Sequence, residues 1–420
     1  MIINRYKFQK SNNEFHINME KKEKESQENI LKIYEEPTLI GLNNIGAQSF
    51  MNPILQCLCQ TPSLINFFLK DSNKGVIMNN NIVKENRNRP QLSPEFLKII
   101  KKLWDKNKKG TSFSPYDFME TVEKMNRFFK KGKAGDYKDF IIYILEQIHK
   151  ELKRSDNSQN QPNILPLNQY DRNSAFSYFM NDFQKICSII SDEFYGISES
   201  TNVCLYCKNN YSSQGLDCPV CYNYGIFNCL IFSLEEVKNF RNENCVNSNT
   251  QIIQNNSVTL NDCFCYNQKT ERFTGENKNY CSICKQLFDS DYTWRIYSSP
   301  NVLILVLKRG KNNKNNIKLD FTETLNLTQF VEVKDSPQII YNLYGVITLV
   351  GQSESKTHFI AFCKSPINNK WYKYNDAIVN PVEDVQKEII NFDTPCILFY
   401  QKSKNYKINY SSNIFNNYLN

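Results

Sequence analysis

His358 is the histidine of this chain best placed for chemistry. Of the three histidines, His16 lies in a polar, charge-dense stretch and His149 in an amphipathic one, where a structural role is expected. His358 instead opens an apolar run, Phe359-Ile360-Ala361-Phe362. A turn-rich stretch, Ser365-Pro366-Ile367-Asn368-Asn369, separates that run from Trp371-Tyr372-Lys373-Tyr374-Asn375-Asp376. A β-hairpin centred between Pro366 and Ile367 pairs Phe362 with Trp371 and His358 with Asn375. Directly opposed residues carry Cβ atoms roughly 5 Å apart, close enough for the Asn375 amide to orient the imidazole. An imidazole held by an amide is the arrangement of Cys-His-Asn hydrolases. A slip of one residue sends the two side chains to opposite faces.

A nucleophile for such a pair is sought where a helix begins. Gly41 and Gly46 bracket a turn, after which Phe50, Ile54, Leu55 and Leu58 mark one helix face. Pro53 is tolerated only in a first turn, whose N–H groups have no intrahelical partner, so the helix starts close to Ser49. Two readings of Ser49 stand side by side. Its hydroxyl can cap the helix, or it can act as a nucleophile favoured by the positive end of the helix dipole, with free N–H groups to hold an oxyanion. Cys57 and Cys59 lie two and three turns further along, so neither is a natural substitute.

Three Cys-x-x-Cys pairs are a second source of chemistry: Cys204 with Cys207, Cys218 with Cys221, and Cys281 with Cys284. Four thiolates in two such knuckles suit tetrahedral zinc. Spacing alone leaves open whether Cys204 and Cys207 share a metal with the pair ten residues on or with the distant one. No candidate set contains a histidine or an open position, so the metal is structural.

The elements that must position these residues follow from the rest of the 420-residue chain, which is 40% hydrophobic and 22% charged. That length can bury one large core or two ordinary ones. The net charge of +8 comes from lysines scattered among glutamates and asparagines. No aromatic-interleaved basic stripe accompanies it, so a nucleic-acid partner is not expected. Nor is a membrane, because no apolar run approaches the about 18 residues a span requires. The first residues lack the apolar stretch of a signal peptide, and the expected location is intracellular, cytoplasm or nucleus. In that reducing setting 15 cysteines point to metal rather than disulfides.

Residues 1–36 read as a polar extension, 71–90 and 153–166 as loops, and 403–420 as a tail. Apolar residues at 140, 141, 144, 145, 148 and 152 describe an amphipathic helix. Residues 302–307 form a continuous apolar run suited to a strand buried on both faces. Shorter β-rich segments follow at 341–350, 359–363, 371–374 and 397–400. Helices first and strands later make the fold class α+β.

The segment around Ser49 resembles the cysteine box of ubiquitin-specific proteases, Gly-Leu-x-Asn-x-Gly-x-Thr-Cys-Phe/Tyr-Met-Asn. It matches at Gly41, Leu42, Asn44, Gly46, Phe50, Met51 and Asn52, and departs at Gln48 and at Ser49, where Thr and Cys are expected. Residues 344–376 resemble the histidine box, with Leu349 in place of an earlier His and Thr357 in place of Gly. Residues 136–152 and 300–309 are similar to the family's helix after the cysteine box and to its central strand. Together the resemblance covers about residues 37–402.

This resemblance implies a papain-like fold with a helical thumb, a β palm and zinc-bearing β fingers within about residues 195–300. It implies His358 as catalytic histidine, Asn375 as the residue orienting it, Asp376 as its neighbour, Asn44 as the source of an oxyanion-hole amide, and Ser49 at the nucleophile position beside Gln48. It selects Cys204, Cys207, Cys281 and Cys284 as ligands of one structural zinc, and ubiquitin or ubiquitinated proteins as partners. A serine hydroxyl is a far weaker acid than a thiol, and a neutral amide stabilises an imidazolium poorly. The expectation is therefore a ubiquitin-recognising homologue with impaired hydrolysis. An active deubiquitinase and a zinc-stapled scaffold without ubiquitin binding are the alternatives.

Overall fold

The computed structural model describes residues 31–46, 49–70, 77, 90–108, 112–130, 135–153, 167–183, 187–247, 256–310, 316–351, 358–392 and 394–403. Most of the expected polar extension, loops and tail lies outside these residues, as do Gln48 and Thr357. Chain order runs from helices to strands. Helices α1 (Met51–Cys59), α2 (Pro62–Leu69), α3 (Leu92–Leu103), α4 (Tyr116–Met125), α5 (Tyr137–Glu151), α6 (Arg172–Phe183) and α7 (Ile189–Phe194) fill the first half. Beside them, β1 (Gly41–Leu42) pairs in parallel with β2 (Ser112–Phe113). Helix α5 is the expected amphipathic one: Phe140, Ile141, Ile144, Leu145 and Ile148 are buried, and the Asp136 carboxylate accepts from the Lys138 N–H at its start.

The second half opens with β3 (Gly196–Cys204), β4 (Cys221–Phe227), β5 (Leu230–Ser233), β6 (Ser257–Thr259), β7 (Thr270–Phe273), β8 (Asn279–Cys281), β9 (Gln286–Phe288) and β10 (Ser290–Ser298). It continues with β11 (Val302–Lys308), β12 (Lys318–Asp320), β13 (Thr324–Asn326), β14 (Ile340–Val350), β15 (His358–Lys364), β16 (Trp371–Asn375), β17 (Ile378–Pro381) and β18 (Thr394–Lys402). An eight-stranded sheet runs β17-β16-β15-β14-β18-β11-β5, with β13 added beside β14, and a four-stranded antiparallel sheet runs β4-β3-β10-β7. These are the β palm and β fingers expected beside the helical thumb, and the class is α+β. Among the described residues three α-helices interrupt the strand-rich half: α8 (Leu205–Ser213), α9 (Leu234–Asn247) and α10 (Leu260–Asn267). Helix α10 begins at a capping box of Thr259 with Asp262.

Strand β11 explains the position of everything else. Six successive residues, 302 to 307, are buried. Val302, Ile304 and Val306 enter the core shared with helices α1 to α5, while Leu303, Leu305 and Leu307 enter the core behind the sheet. Alternation places successive side chains on opposite faces, so an uninterrupted apolar run serves two cores at once.

Some of the charged and titratable groups inside the helical layer have specific partners. Glu151, 7% exposed at the end of α5, accepts from the Leu92 N–H at 2.9 and 3.0 Å and from the Ser93 N–H at 2.6 Å. It thereby caps α3 from another helix and places a carboxylate at the positive end of its dipole. At the junction with the smaller sheet, the buried Glu199 carboxylate receives Arg172 Nε at 2.6 Å, Arg172 Nη2 at 3.0 Å and the Tyr224 hydroxyl at 2.6 Å. His149 is 6% exposed, with Nδ1 2.7 Å from the Ser188 hydroxyl and its ring 5.0 Å from Tyr195. Burial, with Lys153 and Lys150 nearby, lowers its pKa to about 4.

Replacing Glu151 with Ala strips two N–H groups of their acceptor and should cost about 2–3 kcal/mol, seen as a lower urea midpoint at unchanged slope. His149 predicts an acid sensitivity whose sign is fixed. Its unfolded value is about 6.5, so between that pH and 4 the unfolded chain takes up a proton that the folded chain refuses. Stability contributed by this residue is complete above about pH 6.5 and is lost as pH falls toward 4, at most roughly 3 kcal/mol. The difference in urea midpoint between wild type and His149→Gln, measured from pH 7.5 to 4.5, should shrink along that interval.

Candidate active site

The hairpin that carries His358 forms, with a register different from the expected one. Lys364 pairs with Trp371, Phe362 with Lys373 and Ala361 with Tyr374. Phe362 therefore does not face Trp371, and the strands are shifted by two residues, because the turn is centred nearer Asn368. Extended by one position, this register puts Asn375 opposite Ile360 and diagonal to His358. An even shift leaves both on one face, and diagonal neighbours lie within reach of long or aromatic side chains. His358 Nε2 is 2.8 Å from Asn375 Oδ1. An amide oxygen only accepts, so Nε2 carries the proton and Nδ1 keeps the lone pair.

A carboxylate stands behind the same ring. Asp376 Oδ2 is 3.7 Å from His358 Nε2, both side chains being mostly buried. Asp376 adopts a positive φ of 49°, and its own carbonyl accepts from the Leu42 N–H at 3.0 Å. Its carboxylate accepts from Asn44 Nδ2 at 3.1 Å and from Asn52 Nδ2 at 2.9 Å. Close approach of this turn to residue 41 requires glycine there: a Cβ on Gly41 would lie 2.4 Å from the Ala377 carbonyl oxygen. Asn44, expected to face an oxyanion, thus points its amide nitrogen at Asp376, while its oxygen accepts from the Gly46 N–H at 2.9 Å.

Ser49 sits half-exposed in the turn before α1. The helix starts at Met51 with Phe50 at the capping position and no side-chain capping bond, so Ser49 is not the helix cap. Pro53 falls in the first turn, as it must. The Phe50 ring lies 6.1 Å from that of Phe359, so Ser49 and His358 each immediately precede one member of a contacting pair. Leu349 pairs with Phe359 across β14 and β15 and packs against the helical core. Asn52, matched above as a motif position without a role, joins residues 41–46, α1 and the Asp376 turn. The signal was present in the sequence, since Asn52, Gln56 and Gln60 put three amides along one face of a helix that is otherwise apolar, and all three are buried.

The cysteine question is resolved by distance. The Sγ atoms of Cys204, Cys207, Cys281 and Cys284 all lie within 4.8 Å of one another, with Cys207 3.2 Å from Cys284 and 3.7 Å from Cys281. A tetrahedral ion held by sulfurs at about 2.3 Å sets them about 3.8 Å apart, so the four can hold a metal ion. Cys204 ends β3 and Cys207 lies in α8, while Cys281 ends β8. Burial works against ionising Cys281, but the N–H groups of Cys284 and Ile283, together with the thiols of Cys207 and Cys284, outweigh it and lower its pKa. Cys218 packs beside this group, and Cys221 is occupied with Gln169 and Asn223.

A sequence profile of the family described as "Ubiquitin carboxyl-terminal hydrolase" matches residues 40–400. Ubiquitin carboxyl-terminal hydrolase 2 of Bos taurus is 26% identical over 374 residues, covering 86% of this chain and 55% of the relative. Ubiquitin carboxyl-terminal hydrolase 4 of Saccharomyces cerevisiae (strain YJM789) is 26% identical over 396 residues, covering 88% of this chain and 40% of the relative. The chain therefore spans about half the length of the curated relatives it matches. Among solved structures, the SAGA Ubp8/Sgf11/Sus1/Sgf73 DUB module bound to ubiquitin aldehyde superposes with a TM-score of 0.57 at 22% identity, over 89% of this chain and 71% of that one. A variant of that module bound to monoubiquitin gives 0.59 with the same coverage. The chain belongs to the ubiquitin carboxyl-terminal hydrolase family.

Proposed function

We propose that this chain recognises ubiquitin or ubiquitinated proteins and hydrolyses the bond to the ubiquitin C-terminus poorly, because Ser49 occupies the nucleophile position. The observation that carries this reading is a histidine whose Nε2–H is held by Asn375, leaving Nδ1 as the free base, with the ring of Phe359 next to it in contact with that of Phe50, the neighbour of Ser49. Ubiquitin as ligand is supported by the solved modules of the same fold that hold ubiquitin.

A Cys-His pair stores an ion pair before substrate arrives, whereas serine must lose its proton during attack. Serine hydrolases stabilise the resulting imidazolium with a carboxylate hydrogen-bonded to the ring. Here the group in hydrogen-bond contact is the neutral amide of Asn375, and Asp376 stands at 3.7 Å, beyond hydrogen-bond length. That same carboxylate favours a second reading, an active hydrolase running on Ser49 with Asp376 supporting the charged ring. The four-cysteine cluster is read as a structural zinc site that staples two thin β segments, supplying folding energy and no step in hydrolysis. No described helix is long and apolar enough to cross a membrane.

Full-length protein should bind ubiquitin in a pull-down or calorimetric titration while turning over a ubiquitin C-terminal fluorogenic amide slowly. Ser49→Cys should raise kcat/KM by roughly a thousandfold or more. Wild-type turnover equal to that of Ser49→Cys would establish the second reading instead. Zinc quantification should give one ion per chain. Cys207→Ser and Cys284→Ser should lose it and the thermal stability it confers, while Cys218→Ser and Cys221→Ser retain it.

A further inference from the structure

We propose that Asn52 is a positioning residue for the candidate site, acting through Asp376 on the imidazole of His358. The inference rests on the reading of Ser49, His358 and Asn375 as a hydrolase site and extends it to a residue that touches none of the reacting atoms.

Asn52 lies in the first turn of α1 and is 8% exposed. Its amide nitrogen faces three acceptors from two other segments: the Leu42 carbonyl at 3.3 Å, the Asn43 carbonyl at 3.2 Å and Asp376 Oδ1 at 2.9 Å. Asp376 in turn holds Asn44 through Oδ2, the oxygen that lies 3.7 Å from His358 Nε2. Both carboxylate oxygens are thus engaged on the side of α1 and residues 42–44, and the carboxylate keeps a fixed distance from the ring. The segment bearing the nucleophile position, the Asn44 loop and the histidine-bearing hairpin meet at this one amide.

The chemical consequence is directional. With the Asn52 donor gone, the mostly buried carboxylate loses a partner, and burial of an under-satisfied charge is costly. The least costly relaxation turns Asp376 toward another donor. The nearest ring donor is the Nε2–H that Asn375 holds, so the carboxylate competes with Asn375 and tilts the imidazole away from the orientation that Asn375 sets. Misplacement of a reacting group by about an ångström is enough to slow a step severely.

The experiment uses the full chain in two forms. In the Ser49→Cys form, hydrolysis of a ubiquitin C-terminal aminomethylcoumarin amide is measured for Asn52→Leu, Asp376→Ala and the double variant. Asn52→Leu should lower kcat by roughly tenfold or more with KM within about twofold, and should cost less than about twofold once Asp376 is already Ala. An unchanged kcat, or the same loss in both backgrounds, overturns the proposal. In the form with Ser49 intact, NMR of 15N-histidine-labelled protein follows the Nε2-bound proton of His358. That signal should be sharp in the parent and broadened by water exchange in Asn52→Leu; an unchanged sharp signal overturns the proposal whatever Ser49 does. Lack of ubiquitin binding and of activity in Ser49→Cys, with the NMR result as expected, would instead remove the functional reading and leave the positioning intact. Should Asn52→Leu fail to fold, Asn52→Gln displaces the same amide by one methylene and is read by the same two measurements.

Discussion

A mostly buried carboxylate must find donors, and the way Asp376 finds them organises the candidate site. Its partners come from residue 44, from helix α1 and, at longer range, from the imidazole of His358. The first two lie more than three hundred residues along the chain from Asp376 and His358, yet one charge holds them together. Around this contact the fit is tight enough to exclude even a methyl group at Gly41. The positive φ of Asp376 is the conformational cost of presenting its carboxylate and its carbonyl to the same loop. The rest of the fold is arranged to bring these segments together: α1 lies against β15, and β15 hydrogen-bonds to both β14 and β16.

The chemistry at this site is divided between an amide and a carboxylate. Asn375 fixes which ring nitrogen carries the proton, and that is a question of orientation. Asp376 offers charge, but from a distance at which its oxygens are already engaged elsewhere. A thiolate partner asks chiefly for orientation, because the ion pair exists before reaction. A hydroxyl asks for charge at the moment of proton transfer. Under the reading proposed above, the frame described here meets the first demand better than the second.

Much of this was legible in the sequence, for identifiable reasons. The helix at residues 137–151 and the run at 302–307 declare themselves through periodicity, which reports burial directly. His358 and Asn375 were paired from the hairpin pattern, although the turn was placed two residues' worth of register too early. The parity of a strand survives an even slip, so the shared face was right where the opposed pair was not. Register within a hairpin depends on the conformation of Asn368 and Asn369, with Asn369 at a positive φ of 57°, and side-chain type does not announce that. Spacing did not choose between the cysteine pairs either, since the choice depends on how β3, α8 and β8 converge. The amides of Asn52, Gln56 and Gln60 on an apolar helix mark Asn52 as unusual, but its partners depend on how residues 42–43 and the distant Asp376 turn fold onto it.

The two-sided burial of β11 has a consequence for how the molecule comes apart. Each core owns alternate side chains of the same six residues, so neither can open without dragging its neighbour's strand into water. The helical layer and the large sheet therefore form one cooperative unit, and the amides of β11 belong among the last to exchange with solvent. The fingertip is held differently, by a small separate cluster of cysteines and a few rings. With so small a core of its own, that region is expected to open before the unit that shares β11.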